Sequence, residues 1–240
     1  MRVFILAIIF LCACAGTNAQ IKRAQLTENS IVKDSSGKVY PIDIWEPMLM
    51  KGYSLKPVNS KKADTEWIIY KKSDEELELM YKKNKPRGST SFKKGEKFSS
   101  FKATDINGNE IDIKALQGKI IVMNFWFIDC QPCRMEIPEL NELADSFKNN
   151  NKVVFIAVGL DKKSSIEKFL KIFPFKYSII ENGKSIADQY RIGSYPTNVV
   201  VDTEQKVYFH TSGLGATTIY WIRKSIEELL KKEEAKTTLK

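Results

Sequence analysis

An apolar run followed by two closely spaced cysteines constrains the fold of this chain more than any other feature. Residues 120–127 are almost entirely apolar and predict a buried strand. Cys130 and Cys133, separated only by Gln131 and Pro132, follow at once and lead into a helical pattern. The two thiols are therefore predicted to lie at the N-terminus of a helix, directly after a central strand of an α/β domain.

A cysteine in this position is predicted to be reactive. The unpaired N–H groups and the positive dipole end of a helix lower the pKa of a thiol, and the thiolate is the form that attacks disulfides. Cys130, at the helix start, is the predicted attacker, and Cys133, about one turn further in, the predicted resolving thiol. Static alternatives are a structural disulfide, which gains little stability from closing so short a loop, and half of a zinc site.

The first residues have the pattern of an export signal. Residues 1–19 combine the positive Arg2, an apolar segment at residues 3–11 and small residues up to Ala19. The apolar segment is shorter than the roughly 20 residues that a bilayer requires. Leu11 to Cys14 also resembles a bacterial lipoprotein box, in which Cys14 would be acylated. We therefore expect a periplasmic protein of the bacterial cell envelope, either released after Ala19 or anchored by a lipid at Cys14.

The region that follows is harder to interpret. Residues 20–92 are rich in lysine and only weakly periodic, and we treat them as an accessory region of unknown role. Short extended segments are predicted at residues 39–45 and 66–70, and a helix at residues 73–83, which begins with a capping box. Residues 86–91 have the composition of a linker.

Residues 93–232 alternate between strand and helix patterns. Asn107 and Gly108 predict a β-hairpin turn, because both turn positions tolerate positive φ. One helical face is predicted from the spacing of Met135, Leu140, Leu143, Ala144 and Phe147. Further buried strands, two more helices and a pair of strands near residue 204 argue for an α/β sandwich with a mixed sheet. Residues 233–240 are predicted to be a charged tail.

The charge balance argues against nucleic acid as a partner. The formal net charge is +9, but the lysines are interspersed with acidic residues, as in residues 71–76. A nucleic-acid-binding surface normally needs basic residues clustered in a patch or stripe. The sequence therefore predicts a solvated basic surface.

Four short motifs in order make the chain resemble a known family. They are Asn124-Phe125-Trp126, Cys130-Gln131-Pro132-Cys133-Arg134 with Glu136 and Pro138, Leu160-Asp161, and Tyr195-Pro196-Thr197. Over residues 95–232 the chain is similar to the TlpA/ResA-like group of exported thiol-disulfide oxidoreductases. The resemblance implies a thioredoxin fold, with a mixed central sheet flanked by helices and an N-terminal β-hairpin extension. It also implies a redox-active disulfide without metal or organic cofactor, a membrane dithiol protein as electron donor, and a connection with cytochrome c biogenesis.

The resemblance also implies roles for individual residues. Glu136 matches an active-site glutamate, which could exchange protons with the thiols if burial raised its pKa; the alternative is a solvated glutamate in the first helical turns. Pro196 resembles the cis-proline whose loop lies beside the dithiol. Tyr195, Pro196, Thr197 and Trp126 are the expected substrate contacts.

Residues around the dithiol are expected to tune its potential. Asp129 stands where the family usually has tryptophan, and its carboxylate should oppose formation of the Cys130 thiolate and make the protein more reducing. Gln131 and Pro132 shape the helix terminus. Asn124 occupies the position of a buried acid in cytosolic thioredoxins, but an amide cannot ionise. We therefore expect core packing as the role of Asn124 and Phe125, and as the alternative role of Trp126.

The leading hypothesis is an exported reductase or isomerase of protein disulfides in the cell envelope. One alternative is a thiol peroxidase of the peroxiredoxin-like group, although residues 127–129 lack the expected Pro/Thr pattern. Another is a copper-binding chaperone that uses the two sulfurs and His210, the only histidine. A cytochrome c apoprotein, an envelope protein or a small disulfide would all present a similar bond as substrate.

Overall fold

The structure is a computed structural model that describes residues 23–50 and 52–238. The predicted export signal and Cys14 lie outside the described residues. The chain divides into two compact units, Met1–Asp74 and Glu75–Lys240. No helix within the described part of the chain combines the length and the apolar character that crossing a bilayer requires.

The first unit is a small four-stranded sheet with one helix. Its elements are β1 (Val32–Lys33), β2 (Val39–Tyr40), α1 (Ile42–Met50), β3 (Tyr53–Pro57) and β4 (Trp67–Lys71). The strand order is β2-β1-β4-β3. The extended segment predicted at residues 39–45 is wrong after Tyr40, because the carbonyl of Pro41 accepts the N–H of Trp45 and starts α1. The helix buries Trp45 against Val32 and Ile69.

The second unit has the predicted thioredoxin fold, with a mixed sheet and helices on both faces. Its elements are α2 (Asp74–Lys83, which starts at the unit boundary), β5 (Lys102–Thr104), β6 (Glu110–Asp112), β7 (Ile120–Trp126), α3 (Gln131–Ser146), β8 (Val153–Gly159), α4 (Lys163–Leu170), β9 (Ser178–Ile180), α5 (Lys184–Gln189), β10 (Thr197–Val201), β11 (Val207–Ser212) and α6 (Thr218–Thr238). The main sheet has the order β11-β10-β7-β8-β9. Strands β7, β8 and β9 are parallel, whereas β10 is antiparallel to both of its neighbours. The predicted hairpin is β5–β6, with Gly108 at a φ of 89°.

Alternation along β7 divides the core into two layers. All seven residues of this strand are buried. Val122 and Trp126 face the layer that also contains the apolar faces of α3, α4 and α6. Met123 and Phe125 face the opposite layer, which contains the hairpin and α5. Because α3 starts shortly after this buried strand ends, the dithiol at its N-terminus lies at the end of the sheet's central strand.

The outer strands of the main sheet are hydrogen-bonded to other segments of the same unit. The N–H of Val207 in β11 donates to Glu96, and the N–H of Ser212 donates to Arg87. At the opposite edge, the N–H of Ile106 donates to Ile179 in β9. Segments near the hairpin and the residues before it therefore cover both edges.

Both ends of the second unit differ from the expected boundaries. The unit begins at Glu75, whereas residue 93 was expected, and Tyr81 in α2 stacks on Tyr220 in α6 with ring centroids 4.3 Å apart. Strong helix formers such as Glu, Lys and Ala continue α6 through Thr238, so the charged tail expected from residue 233 is helical over its described residues.

Candidate active site

The two cysteines form a disulfide at the N-terminus of α3. Cys130 is the N-cap residue, and its Sγ accepts the N–H of Cys133 at 3.2 Å. The Cα atoms are 5.2 Å apart. Cys130 is 5% exposed and Cys133 1%, so the predicted attacker is the less buried of the two residues, although both are largely covered in this oxidised state. Pro132 lies in the first turn, where its missing N–H removes no helical hydrogen bond.

A carboxylate outside the predicted site holds the loop that precedes the dithiol. Oδ2 of Asp161 accepts the N–H of Ile128 at 2.8 Å. The N–H of Leu160 donates to the carbonyl of Trp126 at 3.1 Å. The Leu160-Asp161 motif was noted only as part of the family resemblance, and its role follows from this contact across neighbouring parallel strands. Asp129 and Gln131 are exposed beside it, consistent with groups that act on the dithiol from the solvent side.

The loop before β10 carries the predicted cis-proline. The Tyr195–Pro196 peptide bond is cis, which confirms that prediction. Tyr195 is half-buried and meets Phe127 edge-on with ring centroids 5.4 Å apart. Thr197 is 1% exposed, and its hydroxyl donates to the carbonyl of Ser194 at 2.8 Å. The Thr197 side chain therefore closes the loop and is covered, whereas the Tyr195 side chain stays partly exposed; contact of this loop with a substrate stays a prediction.

For Trp126 the sequence left two roles open, core packing and substrate contact, and the structure supports core packing. It is fully buried, and it packs against Phe169 and Phe175 with ring centroids 5.4 and 5.6 Å away. The strand alternation directs its side chain into the core although it lies only four positions before Cys130. Trp126 therefore packs in the same core layer as the two cysteines, and its buried side chain is not exposed to a substrate.

Glu136 is the most unusual charged residue of the site, because only 2% of it is exposed. Its Oε1 accepts a hydrogen bond from Nδ2 of Asn124 at 2.7 Å. Nδ2 of Asn198 lies 3.2 Å from Oε1 and 3.3 Å from Oε2. The solvated alternative for Glu136 is thus excluded by its burial.

Burial raises the pKa of Glu136 to about 8, because the surrounding apolar core disfavours the carboxylate. The hydrogen bonds from Asn198 and Asn124 act in the opposite direction, and the negative charge of Glu139 adds a smaller increase. Residues three apart on a helix are neighbours, with Cβ atoms about 5–6 Å apart, so Glu136 adjoins Cys133. A carboxyl group with this pKa can gain or lose a proton near neutral pH.

Both asparagines belong to the site, although neither was predicted there. Asn124 was expected to serve core packing, but its amide contacts the Glu136 carboxylate. Asn198 was not singled out at all. The two residues are directly paired in the register of β7 and β10. The signal in the sequence was one asparagine within each of two otherwise apolar strands.

The structure does not bring His210 to the two sulfurs. His210 packs near Phe92, which belongs to the core layer on the side of the sheet opposite α3. Cys130 and Cys133 belong to the layer beneath α3. Among the described residues, no group of three or more His, Cys, Asp or Glu side chains is arranged to hold a metal ion.

Comparisons with known proteins agree with this geometry. A model of the AhpC/TSA family matches residues 94–210. The thiol-disulfide oxidoreductase ResA of Bacillus cereus is 34% identical over 115 residues, which are 47% of this chain and 66% of that relative, so the chain spans just under two thirds of its length. ResA of Bacillus thuringiensis subsp. konkukian is 31% identical over 140 residues, which cover 58% of this chain and 77% of the relative. The thioredoxin domain of a thiol-disulfide oxidoreductase from Bacteroides vulgatus superimposes with a TM-score of 0.50 at 21% identity, covering 56% of this chain and 99% of that domain, and supports the fold.

Proposed function

This chain belongs to the ResA family of thiol-disulfide oxidoreductases, and we propose that it reduces protein disulfides through Cys130 and Cys133. The observation that carries the proposal is a disulfide at the N-terminus of α3 with the buried carboxyl group of Glu136 one turn further along the helix. The disulfide provides a reversible two-electron couple. The carboxyl group of Glu136 can exchange a proton next to it.

The first step is attack by the Cys130 thiolate on one sulfur of a substrate disulfide. A bond forms between Cys130 Sγ and that sulfur, the substrate S–S bond breaks, and the second substrate sulfur leaves as a thiolate that takes up a proton. The product is a mixed disulfide between Cys130 and the substrate.

The second step is attack by Cys133 on Sγ of Cys130. Glu136, as the carboxylate, accepts the proton of the Cys133 thiol, and the new Cys130–Cys133 bond expels the substrate sulfur, which takes up a proton as a thiol. The substrate has then gained two electrons and two protons. A second dithiol must return the protein to its reduced state, and we propose a membrane protein for this role.

The proposed setting is the bacterial cell envelope. The pattern of residues 1–19 supports export, with release after Ala19 or lipid attachment at Cys14 as the two routes. The proposed substrates are disulfide-bearing envelope proteins, among them apocytochromes c. We propose that Tyr195 and the Pro196 loop contact the substrate segment next to its disulfide, because Tyr195 is partly exposed and Ser194 before it is exposed, while the buried Pro196 holds the shape of the loop.

The proposal is tested by single-turnover reduction of a disulfide-bonded model protein such as insulin. The reduced parent should generate insulin thiols in proportion to its own oxidation, and Cys130→Ser should generate none. Cys133→Ser should accumulate a mixed disulfide through Cys130, which mass spectrometry of the non-reduced adduct identifies. Equal activity of all three proteins would refute the proposed roles. Trapping with Cys133→Ser in the native host would then identify the substrates.

Two further assays separate the alternatives. Rapid consumption of hydrogen peroxide with little reduction of insulin would indicate a thiol peroxidase. Anaerobic titration with Cu(I) would support a copper chaperone if His210→Ala weakened binding. We expect neither result, because residues 127–129 lack the Pro/Thr pattern of a peroxidatic cysteine and His210 packs on the sheet face opposite α3.

A further inference from the structure

A pair of buried amides lies beneath α3. Asn124 is 1% exposed and Asn198 0%, and they are directly opposed on neighbouring strands. The next positions on the same face, including Val122 and Val200, are apolar core residues. Burying two adjacent polar side chains in an apolar core costs free energy of folding unless their hydrogen bonds are satisfied. Their shared partner is the carboxyl group of Glu136.

The amides orient each other so that their donors point at the carboxyl group. Nδ2 of Asn124 donates one hydrogen bond to Oε1 of Glu136 and a second to Oδ1 of Asn198, with 3.0 Å between Nδ2 and Oδ1. With its oxygen held in this way, Asn198 must turn its own Nδ2 group toward Glu136. An ionised carboxylate accepts hydrogen bonds only, so these contacts favour the ionised form of Glu136, in opposition to the larger effect of burial.

The two carboxyl oxygens are held unequally. Oε1 accepts from Asn124 at 2.7 Å and from Asn198 at 3.2 Å. Oε2 has a single contact, to Nδ2 of Asn198 at 3.3 Å. A proton placed on Oε2 therefore disturbs fewer hydrogen bonds than one placed on Oε1.

We propose that Asn198, together with Asn124, is a positioning residue that fixes Oε1 of Glu136 and leaves Oε2 to exchange a proton with the Cys133 sulfur. This inference rests on the proposed function, because it assumes that Glu136 takes part in the exchange. The donors stabilise the ionised carboxylate, so loss of the Asn198 amide must shift the titration of Glu136 to higher pH.

The other titratable groups near Glu136 are few. Cys133 and Glu139 lie on the same helix, and the buried phenol of Tyr177 approaches from the segment before β9. Burial raises the pKa of Tyr177, so this phenol stays neutral through the relevant range. Strands β7 and β10 contribute neutral amides. A shift on replacing Asn198 is therefore attributable to its hydrogen bonds.

The test compares Asn198→Leu and Asn198→Val with the parent, in the full chain. Leucine has a similar volume without donors, and valine is a β-branched residue without donors that suits a strand if leucine prevents folding. Thr211→Val is the matched control, since Thr211 is the neighbour of Asn198 on β11 and donates to Arg87. The first readout is the NMR titration of the ¹³C-labelled carboxyl of Glu136, and the second is the pH midpoint of insulin reduction.

Both Asn198 variants should move the Glu136 titration upward by about one to two pH units, the effect expected for a hydrogen bond to a charged group. The pH midpoint of insulin reduction should move with it, and Thr211→Val should change neither. An unchanged Glu136 titration in a folded Asn198 variant would overturn the inference. A shifted titration with an unshifted rate profile would support the positioning role and overturn the proposed proton transfer by Glu136. In a Glu136→Gln background, Asn198→Leu should leave the rate profile unchanged.

Discussion

Replacing Glu136 by glutamine should stabilise the oxidised protein progressively as the pH rises. The folded state holds the Glu136 proton up to a pH of about 8, whereas the unfolded chain releases it near the ordinary value of 4.5. Between these values the folded state binds more protons, so stability falls with increasing pH. The penalty is absent below about pH 4 and complete above about pH 8. Glutamine cannot ionise and removes it.

The expected magnitude follows from the difference between the two pKa values. A pKa of about 8 against 4.5, at about 1.4 kcal/mol per pH unit, corresponds to about 5 kcal/mol. This is a large fraction of the 5–15 kcal/mol that stabilises a typical domain. The parent should therefore lose stability relative to Glu136→Gln by about 1.4 kcal/mol for each pH unit between 5 and 8.

The assay is urea denaturation without reductant at pH 5, 6, 7, 8 and 9, following methyl signals of the buried Ile120 and Val122 so that the second unit is monitored by itself. The difference in unfolding free energy between parent and Glu136→Gln is the measured quantity. Glu142→Gln is the control, because Glu142 is an exposed residue of the same helix, and its difference should stay constant. A constant difference for Glu136→Gln as well would refute the argument that burial keeps this carboxyl group protonated.

Three further outcomes are expected. Asp129→Trp should lower the pKa of the Cys130 thiol by removing a neighbouring negative charge, and equal thiolate absorbance titrations of parent and variant would discard this idea. Trp126→Ala should destabilise the second unit by about 3–5 kcal/mol through loss of buried ring contacts, measured by urea denaturation; a cost below about 1 kcal/mol would contradict its place in the core. Tyr195→Ala should raise KM for a protein disulfide more than it lowers kcat, and an unchanged KM would remove Tyr195 from the substrate surface.

Short patterns in the sequence predicted those strands and turns whose formation depends on residues close to them in the sequence. The run at residues 120–127 became β7, and the hairpin turn formed at Asn107 and Gly108. The prediction failed within α3, where Met135 was assigned to the buried face but is 53% exposed, while Glu136 is 2% exposed. Hydrophobicity alone assigns a glutamate to solvent. Its burial depends on amides 12 and 62 positions away, which no local window contains.

Some residues of the site could be predicted from short motifs, whereas the placement of others depends on the fold. The two cysteines and Pro196 could be predicted, because short sequence motifs around them identify their roles. Trp126 and Thr197 lie next to those motifs in sequence, but their buried side chains serve the core and the loop. Sequence proximity to a reactive group therefore did not predict exposure of the side chain, because alternation along a strand sends neighbouring side chains to opposite faces.

The coverage of β9 and β11 bears on what a partly unfolded client could do to this protein. Exposed strand edges template the addition of foreign strands, which leads to aggregation. Here each outer strand already shares backbone hydrogen bonds with another segment of its own unit. Part of each edge is thereby occupied, which leaves an extended foreign chain fewer free backbone groups with which to join the sheet.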